Sequence, residues 1–309
     1  MKIAVMGTGA MGGYIGARLA AAGAEVVFIA RGAHLAAICR DGLKVTSPLG
    51  DVHINPAMAT DDPAQVGPVD LVLLGVKLYD VAAATTALLP LLGPETGIIS
   101  LQNGVEAPTM IAEIAGAVHA IPGVALINGE IIEPGVVQHN AMNGLTVGEI
   151  DGRASERLER LVALGRKGGL EVTLSPDIRL ELWRKVLLLT PMAGLSAMTR
   201  VPMARLRETP ATWRLAAPAM AEVVAVAQAE GVGLAEADIE NTLAFVQGMA
   251  PTWQASLTVD LERGKRLELE WLHGTICRLG EKHGIATPFH RVVLGTLMPH
   301  ANGAVLGDA

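Results

Sequence analysis

The sequence predicts an α/β protein, with an N-terminal Rossmann-type doubly wound sheet followed by an all-helical C-terminal domain. Three observations carry this expectation. Lys2 to Met6 is a short apolar run that breaks into the turn Gly7, Thr8, Gly9, Ala10, Met11, Gly12 and then into an amphipathic stretch. That strand, turn and helix context is what a G-x-G-x-x-G pattern needs before it signifies a dinucleotide site. Strand-like apolar runs then alternate with helical spacing as far as Leu174, the pattern of a doubly wound sheet. From Pro176 onward every periodic segment is helical and no β-rich run remains. The expected domains are therefore residues 1–175, binding a dinucleotide, and residues 176–309, a helical substrate and dimerisation domain.

Taken in order, the first strand, turn and helix are followed by a second apolar run, Glu25 to Ala30. A short helix is expected over Ala33 to Arg40, and Leu43 to Thr46 and Val52 to Ile54 form a hairpin around Ser47 to Gly50. Leu71 to Val76 is uninterruptedly apolar, as in a parallel strand covered on both faces. Helices are expected at Val81 to Leu92, Val105 to Ile114 and Ala154 to Lys167. Strands are expected at Gly97 to Leu101, near Val118 to Ile121, at Val136 to His139, Leu145 to Glu149 and Leu170 to Leu174. Helical spacing then covers Pro176 to Thr199, Pro210 to Glu230, Leu234 to Met249, Thr252 to Arg263, Leu267 to His283 and Pro288 to Met298.

Within the opening turn the glycines have separate tasks. Gly7 permits the tight turn, Gly9 lets the backbone approach a pyrophosphate, and Gly12 lets helix and strand pack closely. The helix start offers free N–H groups and a positive dipole end to the phosphates. At the end of the second strand, where an NAD site usually carries an acidic residue, this chain has Arg31. A carboxylate there repels a 2′-phosphate, whereas a guanidinium binds it in a fork, so the expected cofactor is NADPH.

Composition narrows the class. The chain has 309 residues, half of them apolar and 18% charged, enough for two substantial cores. A net charge of −7, with scattered basic residues, argues against a nucleic-acid surface. Cys39 and Cys277 form no metal-ligand or redox pattern and read as buried thiols in a reducing compartment. The first strand starts at once, which leaves no room for a signal peptide, and no apolar run reaches membrane-span length. A cytoplasmic protein without a metal site is expected. The apolar stretch Trp213 to Ala229 could support a homodimer or be used in an intrachain core.

Two polar residues follow strand ends, where ligands of open α/β sheets lie. Lys77 could reach a cofactor phosphate and Asn103 could hold the nicotinamide amide or a substrate oxygen, although Asn103 with Gly104 is also a plain turn signal. Lys185 sits in an otherwise apolar helical stretch, on a face that continues through Leu189 and Ala193. A buried Lys requires a partner or a task. Ser256, Asp260 and Glu268 form a further group, with Glu262 and Glu270 nearby, and spacing alone leaves open which carboxylate turns inward.

These residues together resemble the ketopantoate reductase (2-dehydropantoate 2-reductase) family over essentially the whole chain. The matching pieces are Gly7 to Gly12, Arg31, Val76 with Lys77, Leu101 to Gly104, Leu182 to Lys185, Ser256, Asp260, and Gly264 to Glu270. The resemblance implies NADPH-dependent reduction of a 2-oxo acid, with Lys185 as proton donor to the ketone oxygen and Glu268 as its partner. It also implies that Asn103 orients substrate and nicotinamide, and that Ser256 helps hold the substrate carboxylate. A positioned cation is what the alkoxide formed by hydride attack needs, and Lys185 at an ordinary pKa of ~10.4 carries charge at neutral pH. Where the family carries Asn four and eight residues beyond that Lys, this chain has Leu189 and Ala193. Leu189 adds apolar volume and Ala193 is expected to open space, so the substrate is ketopantoate or a more apolar 2-oxo acid. The competing expectations are a non-catalytic NADPH-binding sensor that kept the fold, and another β-hydroxyacid-dehydrogenase-like enzyme.

Overall fold

The computed structural model describes residues 1–304. The chain divides into two compact units, Met1–Gln102 with Ala107–Glu181, and Asn103–Glu106 with the segment from Leu182 onward. The border thus falls inside a helix, slightly after the change of periodicity at Ser175 and Pro176. Residues Asn103–Glu106 join the helical unit although the sheet unit flanks them in sequence.

The first unit is α/β with a mixed ten-stranded sheet. Its strands are β1 (Lys2–Met6), β2 (Glu25–Ile29), β3 (Leu43–Thr46), β4 (Val52–Ile54), β5 (Met58–Thr60), β6 (Val69–Leu74), β7 (Leu92–Ser100), β8 (Ala120–Glu133), β9 (Val136–Val147) and β10 (Glu171–Leu174). The helices are α1 (Ala10–Ala21), α2 (Gly32–Asp41), α3 (Val81–Leu88), α4 (Ala107–Ala115) and α5 (Glu156–Lys167). β1 pairs in parallel with β2 on one side and β6 on the other; β5, β7 and the start of β8 extend this parallel core. The chain therefore reverses its winding between β1 and β6, the switch point at which such sheets leave a crevice. Ile3, Ala4 and Val5 of β1 and Leu71 to Leu74 of β6 are fully buried, which accounts for their unbroken apolar runs.

Beyond β7 the sheet departs from the sequence expectation. The short strands expected near Val118 to Ile121, Val136 to His139 and Leu145 to Glu149 belong to one long antiparallel hairpin, β8 and β9. Its middle carries Asn128, Gly129, Asn140 and Asn143, residues of low strand preference that masked its continuity. β9 also pairs with β3 and β10, so the sheet is mixed rather than purely parallel. α1 packs against β1, β2, β3, β4, β8 and β9, so the sheet wraps around it. That enclosure buries Arg18, which lies over the Tyr14 ring and donates to the carbonyl of Gly50 at 2.7 Å. The Tyr14 hydroxyl in turn donates to Asn143 Oδ1 at 2.8 Å.

The second unit is helical. It holds most of α6 (Ile178–Thr199), then α7 (Met203–Glu208), α8 (Pro210–Trp213), α9 (Ala216–Ala229), α10 (Glu236–Gln247), α11 (Ser256–Glu262), α12 (Leu269–His283) and α13 (Pro288–Leu297). The single helix expected over Pro210 to Glu230 is broken at Arg214 and Leu215. Pro218 has no N–H for the carbonyl of Arg214, so the helix restarts at Ala216. The apolar face of α9, with Met220, Val223, Val226 and Ala227, is buried against α10, α12 and α13 of the same unit. Cys39 is exposed, which corrects the expectation of a buried thiol there, while Cys277 is buried. Among the described residues, no helix is long and apolar enough to cross a membrane.

Candidate active site

At the switch point the sheet unit holds a cavity of about 300 Å³. The turn after β1 lines it with Gly7, Thr8 and Gly9, the end of β2 with Ile29, Ala30 and Arg31, and the end of β6 with Val76. The turn has the form the glycines require. Gly7 has φ +90°, and a Cβ there would stand 2.9 Å from the backbone of Gly75 and Val76. A Cβ on Gly12 would meet the Gly7 carbonyl oxygen at 2.4 Å. At Gly9, by contrast, nothing lies within 4 Å of the added atom, so the backbone is open to a ligand on that side. Gly9 is the N-cap of α1 and supplies no side chain to its first N–H groups, which include Ala10, Met11 and Gly12. An open backbone, an uncapped helix start and a guanidinium at the rim fit the diphosphate and ribose end of a dinucleotide.

The turn is held from below. The amides of Gly7 and Thr8 both donate to the Ile29 carbonyl at 3.2 Å, and the Thr8 hydroxyl donates to the same oxygen at 3.1 Å. Arg31 is exposed and N-caps α2 with extended backbone. Lys77 is half-buried just past β6, but the cavity takes Val76 and not Lys77 into its lining.

Among the lining residues that sequence reading missed are His34, Asp80 and Ile131. His34 follows Arg31 by one helical turn, a spacing that offered a signal. Its Nδ1 accepts the Gly135 amide at 3.0 Å, joining α2 to the tip of the β8–β9 hairpin, and burial lowers its pKa while the Thr8 backbone opposes the shift. Ile131 reaches the cavity only because that hairpin is long and continuous.

The helical unit carries the other candidate residues. Lys185 on α6 and Glu268, the N-cap of α12, are both buried, with 8% and 6% of their surface exposed. Glu262 and Glu270 are exposed and Asp260 is half-buried, so the carboxylate that turns inward is Glu268. Burial pulls the Lys185 ammonium down from its ordinary value to about 8, and the Glu268 charge acts against that fall. This corrects the ordinary pKa expected from sequence, where neither desolvation nor the partner was visible. Among the described residues, no cluster of His, Cys, Asp and Glu could hold a metal ion.

Asn103 is partly buried and belongs to this same unit. Ser256 is exposed at the first position of α11, directly after the N-cap Ala255. Leu189 is half-buried. Ala193 is 3% exposed inside an apolar cluster with Ala197, Leu257, Leu269 and Val293, so its small side chain packs among core neighbours. Thr190 and Ser196, the other polar residues of that stretch, are also fully enclosed, and Ser196 accepts the Thr258 hydroxyl at 2.9 Å.

A glycine turn at a sheet switch point, coupled in one chain to a helical unit with a buried Lys and Glu, defines a dinucleotide-binding oxidoreductase architecture. Comparison with known proteins narrows this. The family description "Ketopantoate reductase PanE/ApbA" matches residues 3–152, and its C-terminal counterpart matches residues 177–301. The 2-dehydropantoate 2-reductase of Halobacterium salinarum is 31% identical over 297 residues, covering 95% of this chain and 96% of its own. A PanE/ApbA family ketopantoate reductase from Ralstonia eutropha superposes with a TM-score of 0.90 at 34% identity, covering 97% of this chain and 98% of its own. The 2-dehydropantoate 2-reductase of Geobacter metallireducens gives 0.91 at 31% identity, covering 96% and 99%. The chain belongs to the ketopantoate reductase family.

Proposed function

We propose that the protein reduces a 2-oxo acid to the 2-hydroxy acid with NADPH, using Lys185 as the proton donor. The observation that carries this reading is the buried Lys185 and Glu268 pair, an ionisable pair that an apolar core does not retain without use. When bound, the nicotinamide supplies the hydride. The N–H groups of Gly9 to Gly12 hold the diphosphate, and Arg31 forks the 2′-phosphate at the cavity rim. Lys77 approaches a phosphate from the end of β6. Lys185 gives its proton to the ketone oxygen as negative charge builds there, and Glu268 keeps that ammonium charged and aimed. Asn103 orients the substrate and the nicotinamide amide, and Ser256 hydrogen-bonds the substrate carboxylate.

Leu189 sets the substrate class in this reading. With an apolar side chain in place of an amide, a hydroxylated substrate loses a hydrogen-bond partner while a branched apolar one gains contact. Ala193 has no part in that preference, since it faces the core. The test is NADPH oxidation against ketopantoate and 2-oxo acids with isopropyl or isobutyl side chains. Lys185→Ala should lower the turnover number by about 10² or more and leave NADPH affinity nearly intact. Loss of cofactor affinity with unchanged turnover would place Lys185 in another role.

A further inference from the structure

We propose that Glu106 and Arg278 form a clasp that positions Asn103, an inference that rests on the role proposed above for Asn103. The loop Asn103–Glu106 leaves the end of β7 and enters α4, both parts of the sheet unit, yet its own four residues pack with the helical unit. One side-chain bond ties the loop to α12 within that unit. Arg278 Nη2 donates to Glu106 Oε1 at 2.8 Å, across 172 residues of sequence.

The guanidinium is set before it reaches the loop. Its Nη1 donates to the Glu270 carbonyl at 3.0 Å and its Nη2 also donates to the Thr275 hydroxyl at 3.1 Å. Gly274 leaves room beside it, since a Cβ there would stand 3.0 Å from Nη1. Arg278 is therefore a fixed fork on α12 and not a mobile surface side chain. The N-cap of α12 is Glu268, so one helix carries both the buried carboxylate beside Lys185 and the anchor of the loop that bears Asn103.

An ion pair this exposed, at 50% and 29%, contributes little to stability. Its effect is geometric. Gly104, with φ +93°, leaves the backbone next to Asn103 unusually free. Held three residues later by Glu106, the loop presents Asn103 in one place; released, it samples many. Misplacing an orienting group by an ångström lowers reactivity far more than it lowers stability.

The test uses the full-length enzyme with NADPH and whichever of ketopantoate or 2-oxoisovalerate it turns over faster. Glu106→Ala should lower kcat/KM about fivefold or more, leave the melting temperature in place, and speed amide hydrogen exchange across residues 103–106. Glu106→Gln, which keeps an acceptor for Arg278, should retain most of the activity. In an Asn103→Ala background, Glu106→Ala should cause no further loss, because the group it positions is gone. A wild-type kcat/KM for Glu106→Ala, or losses that multiply in the double variant, would overturn the clasp. Full activity of Asn103→Ala alone would instead overturn the role of Asn103 itself.

Discussion

At the scale of single residues, the proposed chemistry turns on how far burial moves Lys185. An ammonium that titrates near 8 is protonated at neutral pH and gives its proton up more readily than an ordinary Lys. The reductive direction needs the protonated form, so kcat/KM for the 2-oxo acid should be level at low pH and fall as pH rises through about 8. Glu268→Gln removes the charge that opposes the downward shift, so the fall should move to lower pH. An unchanged profile in that variant would mean that another group governs the alkaline limb. Arg31 gives a second residue-scale expectation. Arg31→Ala should bring the NADPH and NADH dissociation constants together, closing a gap of about tenfold or more in a fluorescence titration. Equal affinities in the unaltered protein would remove the basis for that role. Part of this was legible from sequence: Arg31 by its place after β2, Lys185 by its isolation on an apolar face. Spacing alone did not choose Glu268 over Glu262 and Glu270, because the helix break at Gly264 resets which face each residue takes; the family resemblance did. Asp80 and Ile131 escaped for a similar reason, since only the folded hairpin and the α3 start bring them to the cavity.

At the scale of elements, the helices α12 and α13 are joined by a contact no local pattern announces. His273 and His290 meet through their Nδ1 atoms at 2.9 Å, and His290 Nε2 donates to the Ala219 carbonyl of α9 at 3.1 Å. Glu222 of α9 accepts the amides of Phe289 and His290 at the start of α13, at 2.8 and 3.2 Å, capping it. Both imidazoles are buried; desolvation lowers His290 to about 4 and His273 well below its ordinary 6.5. Folded, the pair stays neutral while the unfolded chain takes up protons below 6.5. Its contribution to stability is therefore complete above 6.5 and is lost as pH falls from 6.5 toward about 4. The melting temperature should drop by several degrees across that window, and the His273→Asn, His290→Asn double variant should show a shallower slope. An identical slope would assign acid sensitivity elsewhere. Periodicity located nearly every helix and the parallel strands β1, β2, β6 and β7, because burial on a regular element writes itself into residue spacing. It missed β5, which is three residues long, and split the β8–β9 hairpin, whose interior is polar and partly exposed.

At the scale of the whole molecule, family membership and fold agree that a nucleotide-binding sheet and a helical unit work in one chain. What the family does not fix is which 2-oxo acid this chain prefers, and here the molecule differs from the pattern it resembles. Ala193 is absorbed into the apolar cluster, leaving Leu189 as the residue of that pair with a partly open side chain. The proposed activity is 2-oxo acid reduction with Lys185 as the acid and a preference shifted toward apolar side chains. Steady-state NADPH oxidation, measured for the unaltered protein and Lys185→Ala against ketopantoate and 2-oxoisovalerate, tests it most directly. The expected result is turnover of both acids, a kcat/KM for 2-oxoisovalerate at least equal to that for ketopantoate, and a loss of about 10² or more in the variant. A tenfold preference for ketopantoate would contradict the reading of Leu189, and full activity without Lys185, or none with any 2-oxo acid, would contradict the claim itself.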